Sequence, residues 1–235
     1  MNIADRISKL QWFKIELTLE VYGYAKIPCL LSPDECQSVM ELYKEPSKFR
    51  SRIQMSRFNF GVGEYQYFGY PLPLIVSDLR TNLYPHLAKI ANRWMQAIGS
   101  DQHFPELHDQ YIKQCRNAGQ TKPTPLLLNY EEGGYNCLHQ DLYGDLSFPL
   151  QAAIILSRRE IDYKGGEFLL LEQRPRAQSR GEAINIEQGE MLIFPNNYRP
   201  VKGTRGNYRV NMRHGVSRIL SGTRYSLGII FHDAK

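Results

Sequence analysis

The chain changes texture about halfway along its length. In the first part, apolar residues recur at intervals of three and four, the mark of helices with one buried face. Over 3–20, Ile7, Leu10, Trp12, Phe13 and Leu17 fall on one such face, which predicts a single helix. Residues 24–31 read as a short strand. Ser32, Pro33 and Glu35 then supply an N-cap, a first-turn proline and a capping-box glutamate, opening a helix to about 43. Two further helices are predicted over 74–98 and 104–117, the second stopping at Gly119. Between them and the earlier helix, the aromatic and glycine-bearing stretch 58–68 reads as a hairpin. Its Gly61 and Gly63 are too closely spaced for a dinucleotide-binding fingerprint.

Beyond the Pro-containing stretch near 123, short apolar or alternating runs take over, at 126–130, 149–156, 167–172, 191–194, 210–216 and 225–231. Gly, Pro, Asn and Asp separate them, which argues for an antiparallel barrel or sandwich and not a parallel sheet. The fold class is therefore α+β, with no internal repeat. Because neither half makes an obviously independent core, the prolines mark a structural join and 1–235 is one domain. In it 1–120 forms helical support plus a hairpin, and 121–235 forms the strand-rich core.

Composition adds exclusions. The chain has 235 residues, 42% hydrophobic and 23% charged, values that rule out disordered, collagen-like and coiled-coil classes. Lys plus Arg (29) exceed Asp plus Glu (24), giving +5, a surplus that permits anionic partners without requiring one. The longest apolar runs, such as 126–128 and 228–231, are far shorter than the roughly 18 residues that span a bilayer. The opening MNIADRISKLQWFK carries charges where a signal peptide needs an apolar stretch. The expectation is a soluble cytoplasmic protein without a membrane partner; oligomeric state is not legible. Cys29, Cys36, Cys115 and Cys137 are scattered, form no CxxC pair, and read as reduced thiols and not as a zinc site or disulfide framework.

Candidate chemistry concentrates in the second part. His86, His103, His108 and His232 have no suggestive neighbours and read as packing residues. His139 differs, because on a strand His139 and Asp141 point to the same face, where one metal ion can bridge them. A lone His-x-Asp arises often by chance. Here, however, a second histidine, His214, follows in a later predicted strand, and two histidines with one carboxylate form the facial triad of non-haem Fe(II) oxygenases. Arg224 comes ten residues on. Alone it reads as a surface salt bridge, but with the triad it completes a charge sum: Fe(II) and one carboxylate carry +1, a 2-oxoglutarate dianion adds −2, and a guanidinium returns the site to zero. Its planar fork suits a carboxylate.

The array Tyr130-Glu-Glu-Gly-Gly-Tyr-Asn-Cys-Leu-His139-Gln-Asp141, then Gly165-Gly166-Glu167, His214 and Arg224, resembles the 2-oxoglutarate/Fe(II)-dependent dioxygenases. Within them the chain looks most like the prokaryotic Oxygenase-NA family, on QRPRAQSR at 173–180, RPVKGTR at 199–205 and RHGVS at 213–217. The similarity runs over about 60–234. It implies a double-stranded beta-helix of jelly-roll type, in which His139, Asp141 and His214 hold Fe(II), Arg224 grips the distal carboxylate of 2-oxoglutarate, and O2 is the second cosubstrate. It also implies a cosubstrate hydrogen bond from Tyr130, whose alternative is a core tyrosine. At the end the chain departs from the AlkB pattern Arg-x-Asn-x-x-x-Arg: it has Arg224-Tyr-Ser-Leu-Gly-Ile-Ile230.

The substrate remains open at this level. The Oxygenase-NA resemblance implies oxidative demethylation of damaged DNA, a repair role. The basic run Arg199, Lys202, Arg205, Arg209, Arg213, Arg218 and Arg224, with no acid among them, is compatible with phosphates. Arg174, Arg176 and Arg180 extend it, and the aromatics Tyr65, Tyr67 and Phe68 are candidates to stack on an extruded base of single-stranded or damaged nucleic acid. Equally, strand alternation scatters these arginines over two faces. A hydroxylase of a protein side chain or small molecule shares every metal residue, and a binding module without catalysis is opposed by the complete ligand set.

Overall fold

The computed structural model describes residues 1–204 and 206–235. Two antiparallel sheets face one another. The larger is ordered β1 (Ala25–Ile27), β11 (Met191–Pro195), β7 (Leu150–Ile155), β15 (Arg224–Ile229), β5 (Leu126–Tyr130), β4 (Glu64–Phe68) and β2 (Phe49–Gln54). The smaller is ordered β10 (Arg180–Ile184), β9 (Phe168–Gln173), β13 (Gly206–Val216), β6 (Tyr135–His139) and β3 (Gly61–Val62), with β12 (Tyr198–Gly203) also pairing β13. A small pair, β8 (Tyr163–Gly165) and β14 (Ile219–Gly222), lies beside the turn that leads into β15. This is the jelly roll.

The larger sheet is covered on both faces. Ile154, Met191, Ile193, Leu227 and Ile229 share one core with helices α1 (Ile3–Ser8), α4 (Leu74–Ala97) and α5 (His108–Asn117), whereas Ile155, Leu192 and Phe194 face the interior between the sheets. Strands buried on both sides lose their polar alternation, and β11 is buried at every position. On the smaller sheet, β13 alternates. Val210, Met212 and His214 point inward, and Arg209, Asn211 and Arg213 point to solvent.

The helical part holds two corrections: α5 begins at His108 and not at 104, and the helix expected over 3–20 is split. The chain breaks at 9–11, so two helices replace the single one expected over 3–20, and α2 (Trp12–Tyr22) starts in a new phase. Its inward residues are Ile15 and Leu19; Phe13 and Leu17 are 79% and 50% exposed. Helix α3 (Pro33–Glu41) begins at Ser32 with both capping-box hydrogen bonds present. The hairpin also differs: β4 pairs with β2, and the intervening 55–63 carries Phe58 and Phe60 outward.

A buried polar cluster ties α4 to the end of the chain. Arg80 donates to the carbonyls of Ile230 and His232 and pairs with Asp233 at 2.8 Å, both side chains being shut off from solvent. His108 bonds the Phe231 carbonyl at 2.8 Å, and His232 Nδ1 accepts the Phe148 N–H at 3.1 Å. Burial, with the Arg80 charge beside them, pushes both imidazoles down to about 3. The unfolded chain therefore takes up two protons near pH 6.5 that the folded chain refuses. Stability is full above that pH, and falls as pH drops from 6.5 toward 5 by about 1.4 kcal/mol per pH unit for each imidazole. Urea midpoints at pH 7 and pH 5 measure the drop, and equal midpoints contradict it.

Candidate metal and cosubstrate site

His139 and His214 are direct cross-strand partners on β6 and β13, which brings their rings to 4.2 Å. A bulge sits beside this pair. Residues 137 and 138 oppose Gly215 alone, and a side chain there would strike the Asn136 carbonyl at 2.6 Å. Such bulges re-aim a side chain. Here the bulge brings His139 inward, and His139 Nδ1–H bonds the Cys137 carbonyl at 2.8 Å, which turns Nε2 toward the interior.

Asp141 lies just past the end of β6 and not on the strand, yet its side chain still joins that of His139. Its backbone N–H donates to Asn196 Oδ1 at 3.0 Å, and its Oδ1 accepts from the Tyr143 hydroxyl at 2.6 Å. His139 Nε2 is then 3.5 Å from Asp141 Oδ1, and His214 Nε2 is 3.1 Å from Oδ2. All three donor atoms lie within 4.8 Å of one another. Two ligands about 2.1 Å from one ion and at right angles to it lie about 3 Å apart, so the spacing suits one metal. The charge states suit it as well. Burial pushes the Asp141 carboxyl up, but His214, His139 and the Tyr143 hydroxyl outweigh burial and hold it well below the ordinary carboxylate range. Burial lowers His214, which keeps its ring neutral with a lone pair to give.

These groups open on a cavity of about 340 Å³ between the sheets. Arg224 lines it from the rung of β15 that pairs with Tyr130. Gly166, at φ +66, makes room for it, since a Cβ there would sit 2.9 Å from Arg224 Cδ. Arg224 is 2% exposed and donates to Ser226 Oγ at 3.1 Å, but its Nε and the Tyr130 hydroxyl have no partner, and it forms no ion pair among the described residues. A buried guanidinium without an anion is costly. An incoming carboxylate fits this place, with Arg224, Ser226 and Tyr130 all able to donate to it.

The candidate substrate residues are distributed differently. Tyr65 lines the cavity. Tyr67 is buried, with the Arg50 guanidinium 4.5 Å from its ring centroid and Tyr65 and Tyr143 at its edges, so it offers no free face to a base. Phe68 is wholly buried too. Arg174 and Arg180 pair with Glu172 and Glu182, Arg176 sits in the β9–β10 turn, and none of the three lines the cavity. Arg199 is buried against Glu172 and the Glu20 carbonyl, so the basic run divides between two faces; Arg205 lies outside the described residues. Sequence reasoning missed Tyr143, Asn196, Ser226 and Gln151. Tyr143 alone carried a signal, standing two residues after Asp141 in the same phase as the His-x-Asp pair.

Residues 63–234 match the family model of Oxygenase-NA, described as an oxygenase catalysing oxidative methylation of damaged DNA. Two uncharacterised proteins of Mycobacterium tuberculosis, from strains CDC 1551 and H37Rv, are each 49% identical over 167 residues, 71% of this chain and 72% of theirs. Three solved structures share the fold at low identity. A 2OG-Fe(II) oxygenase family oxidoreductase from Burkholderia pseudomallei has TM-score 0.60 at 11% identity, over 96% of this chain and 94% of that one. A prolyl-4-hydroxylase from Pseudomonas putida has 0.55 at 12%, over 96% and 100%. A Trichoplax adhaerens prolyl hydroxylase, in complex with a hypoxia inducible factor peptide, has 0.56 at 15%, over 97% and 91%. Among the described residues no helix is long and apolar enough to cross a membrane. With a family match over most of the chain and relatives nearly half identical to it, this protein belongs to the Oxygenase-NA family of 2-oxoglutarate/Fe(II)-dependent dioxygenases, enzymes that use Fe(II), 2-oxoglutarate and O2.

Proposed function

We propose that His139, Asp141 and His214 hold the Fe(II), that Arg224 with Tyr130 and Ser226 binds the distal carboxylate of 2-oxoglutarate, and that the substrate is an alkylated nucleobase in damaged or single-stranded nucleic acid. The observation that carries the cosubstrate assignment is Arg224, a buried cation that lines the cavity, forms no ion pair among the described residues and leaves its Nε without a partner. Bound iron would supply O2 activation, in which 2-oxoglutarate is converted to succinate and CO2, one oxygen going to succinate and the other to a substrate C–H bond. The protein orients, excludes water and balances charge. Oxygen inserted into an N–CH3 group gives a hemiaminal that releases formaldehyde and the free base, so the net change is demethylation. In this reading 1–235 works as one unit, in which 1–120 supplies both the helices that buttress the jelly roll and the strands β1 to β4 that join its sheets.

Two features support a flat substrate. The family description names damaged DNA. At the cavity mouth, Phe60 and Leu138 line the entrance while exposed, and Phe58 stacks on Phe60 at 5.5 Å. Such an aromatic lip suits base stacking. The test supplies methylated single-stranded oligonucleotides beside a panel of peptides and metabolites, and measures succinate and formaldehyde together. Coupled formaldehyde from the oligonucleotide supports the assignment; coupled turnover on a peptide or metabolite alone replaces it.

Arg224→Lys keeps the charge and loses the fork. The KM for 2-oxoglutarate is expected to rise at least tenfold, about 1.4 kcal/mol, with Fe(II) binding unchanged. An unaltered KM, measured by succinate formation, moves the carboxylate anchor elsewhere.

A further inference from the structure

Gln151 is 4% exposed, lines the same cavity, and has a side-chain Nε2 without a hydrogen-bond partner. A buried, unpaired amide is costly, and its persistence inside a cavity marks a place where a ligand atom completes the bond. The register locates it. On β15 and β7, Ser226 faces Ile155 and Gly228 faces Ala153, so the inward row of β7 runs from the Ser226 rung away from Arg224 and reaches Gln151 next. There Gln151 pairs across the sheet with Phe194, whose ring packs 4.8 Å from that of His214. The amide therefore stands on the metal side of the cavity, and Arg224 on the other.

Two other polar side chains at that end are already engaged. Gln140 donates to the carbonyls of Asn197 and Met212, and Tyr143 donates to Asp141. We propose that Gln151 donates its amide N–H to the metal-side carboxylate of 2-oxoglutarate, an inference that rests on the site assignment above. Charge explains why a neutral donor stands here. Fe(II), the Asp141 carboxylate, the 2-oxoglutarate dianion and Arg224 sum to zero, so a second buried cation would leave +1 uncompensated. An amide binds the second carboxylate without disturbing that sum.

The test uses the full chain loaded anaerobically with Fe(II) and titrated with 2-oxoglutarate, followed by the visible charge-transfer absorption of the bound 2-oxoacid. Gln151→Leu, close in size, is expected to weaken 2-oxoglutarate binding about tenfold and to shift the absorption maximum, with Fe(II) affinity in the absence of 2-oxoglutarate unchanged. Gln151→Glu sets a carboxylate against a carboxylate and is expected to weaken binding by about a hundredfold or more. Wild-type affinity and an unshifted band in both variants overturn the proposal, as does a loss of Fe(II) affinity in Gln151→Leu that matches the loss for 2-oxoglutarate. Arg224→Lys run alongside separates the two claims. If it weakens 2-oxoglutarate binding while both Gln151 variants behave as wild type, only the role of Gln151 fails; if it too behaves as wild type, the site assignment fails with it.

Discussion

Asp141→Ala loses Fe(II) affinity by on the order of a thousandfold, the about 4 kcal/mol that follows when one partner is taken from a buried charged cluster. The reason is local. Asp141 is the only carboxylate in the cluster of three, it faces both imidazoles, and its low pKa keeps it charged at neutral pH. His139→Ala and His214→Ala each remove an imidazole ligand and are expected to abolish stoichiometric binding as well. Circular dichroism checks that the variants fold, and metal content after desalting under anaerobic conditions gives the result. Retention of iron and turnover by all three variants refutes the triad.

Asp233→Ala is the largest expected change in stability. It strands the Arg80 guanidinium, which is buried among Ile230, His232 and Tyr70, and a buried charge deprived of its partner costs about 3–5 kcal/mol. The pair joins α4 to the segment that follows β15, so the strand bearing Arg224 is held at one end by this cluster. By contrast Arg93→Ala breaks an ion pair with Glu16 in which Arg93 is half exposed, and is expected to change stability by no more than about 0.5 kcal/mol. Urea unfolding of both variants at pH 7 compares them directly. Equal midpoints contradict the account of the buried cluster.

The strands of the jelly roll were legible because burial on two faces leaves an unmistakable apolar run, as in MLIFP of β11, and because turn residues punctuate the rest. The metal cluster was legible because its members are chemically distinctive and two of them, His139 and Asp141, form a His-x-Asp pair, with His214 in a later strand. Polar edge strands were not: FRSRIQ of β2 is at most half-buried along its length, so its pairing with β4 leaves little hydrophobic trace. The helical start failed for another reason. One run of apolar spacing hid a break at 9–11, and a shift of phase moved Phe13 and Leu17 from the predicted core to the surface. The basic run shows the same limit, since charge counted along the sequence says nothing about facing. Arg199 turns inward to Glu172, Arg224 turns inward to the cavity, and Arg213 turns out. Gln151 was invisible because one glutamine in an apolar strand carries no pattern.

The location of the iron tests the central claim most directly. Crystals grown and soaked anaerobically with Fe(II) are expected to give a single strong anomalous peak per chain, bounded by His139 Nε2, Asp141 and His214 Nε2 and open toward the cavity that holds Arg224. A peak at any other group, or none at this one while solution measurements show bound iron, contradicts the account.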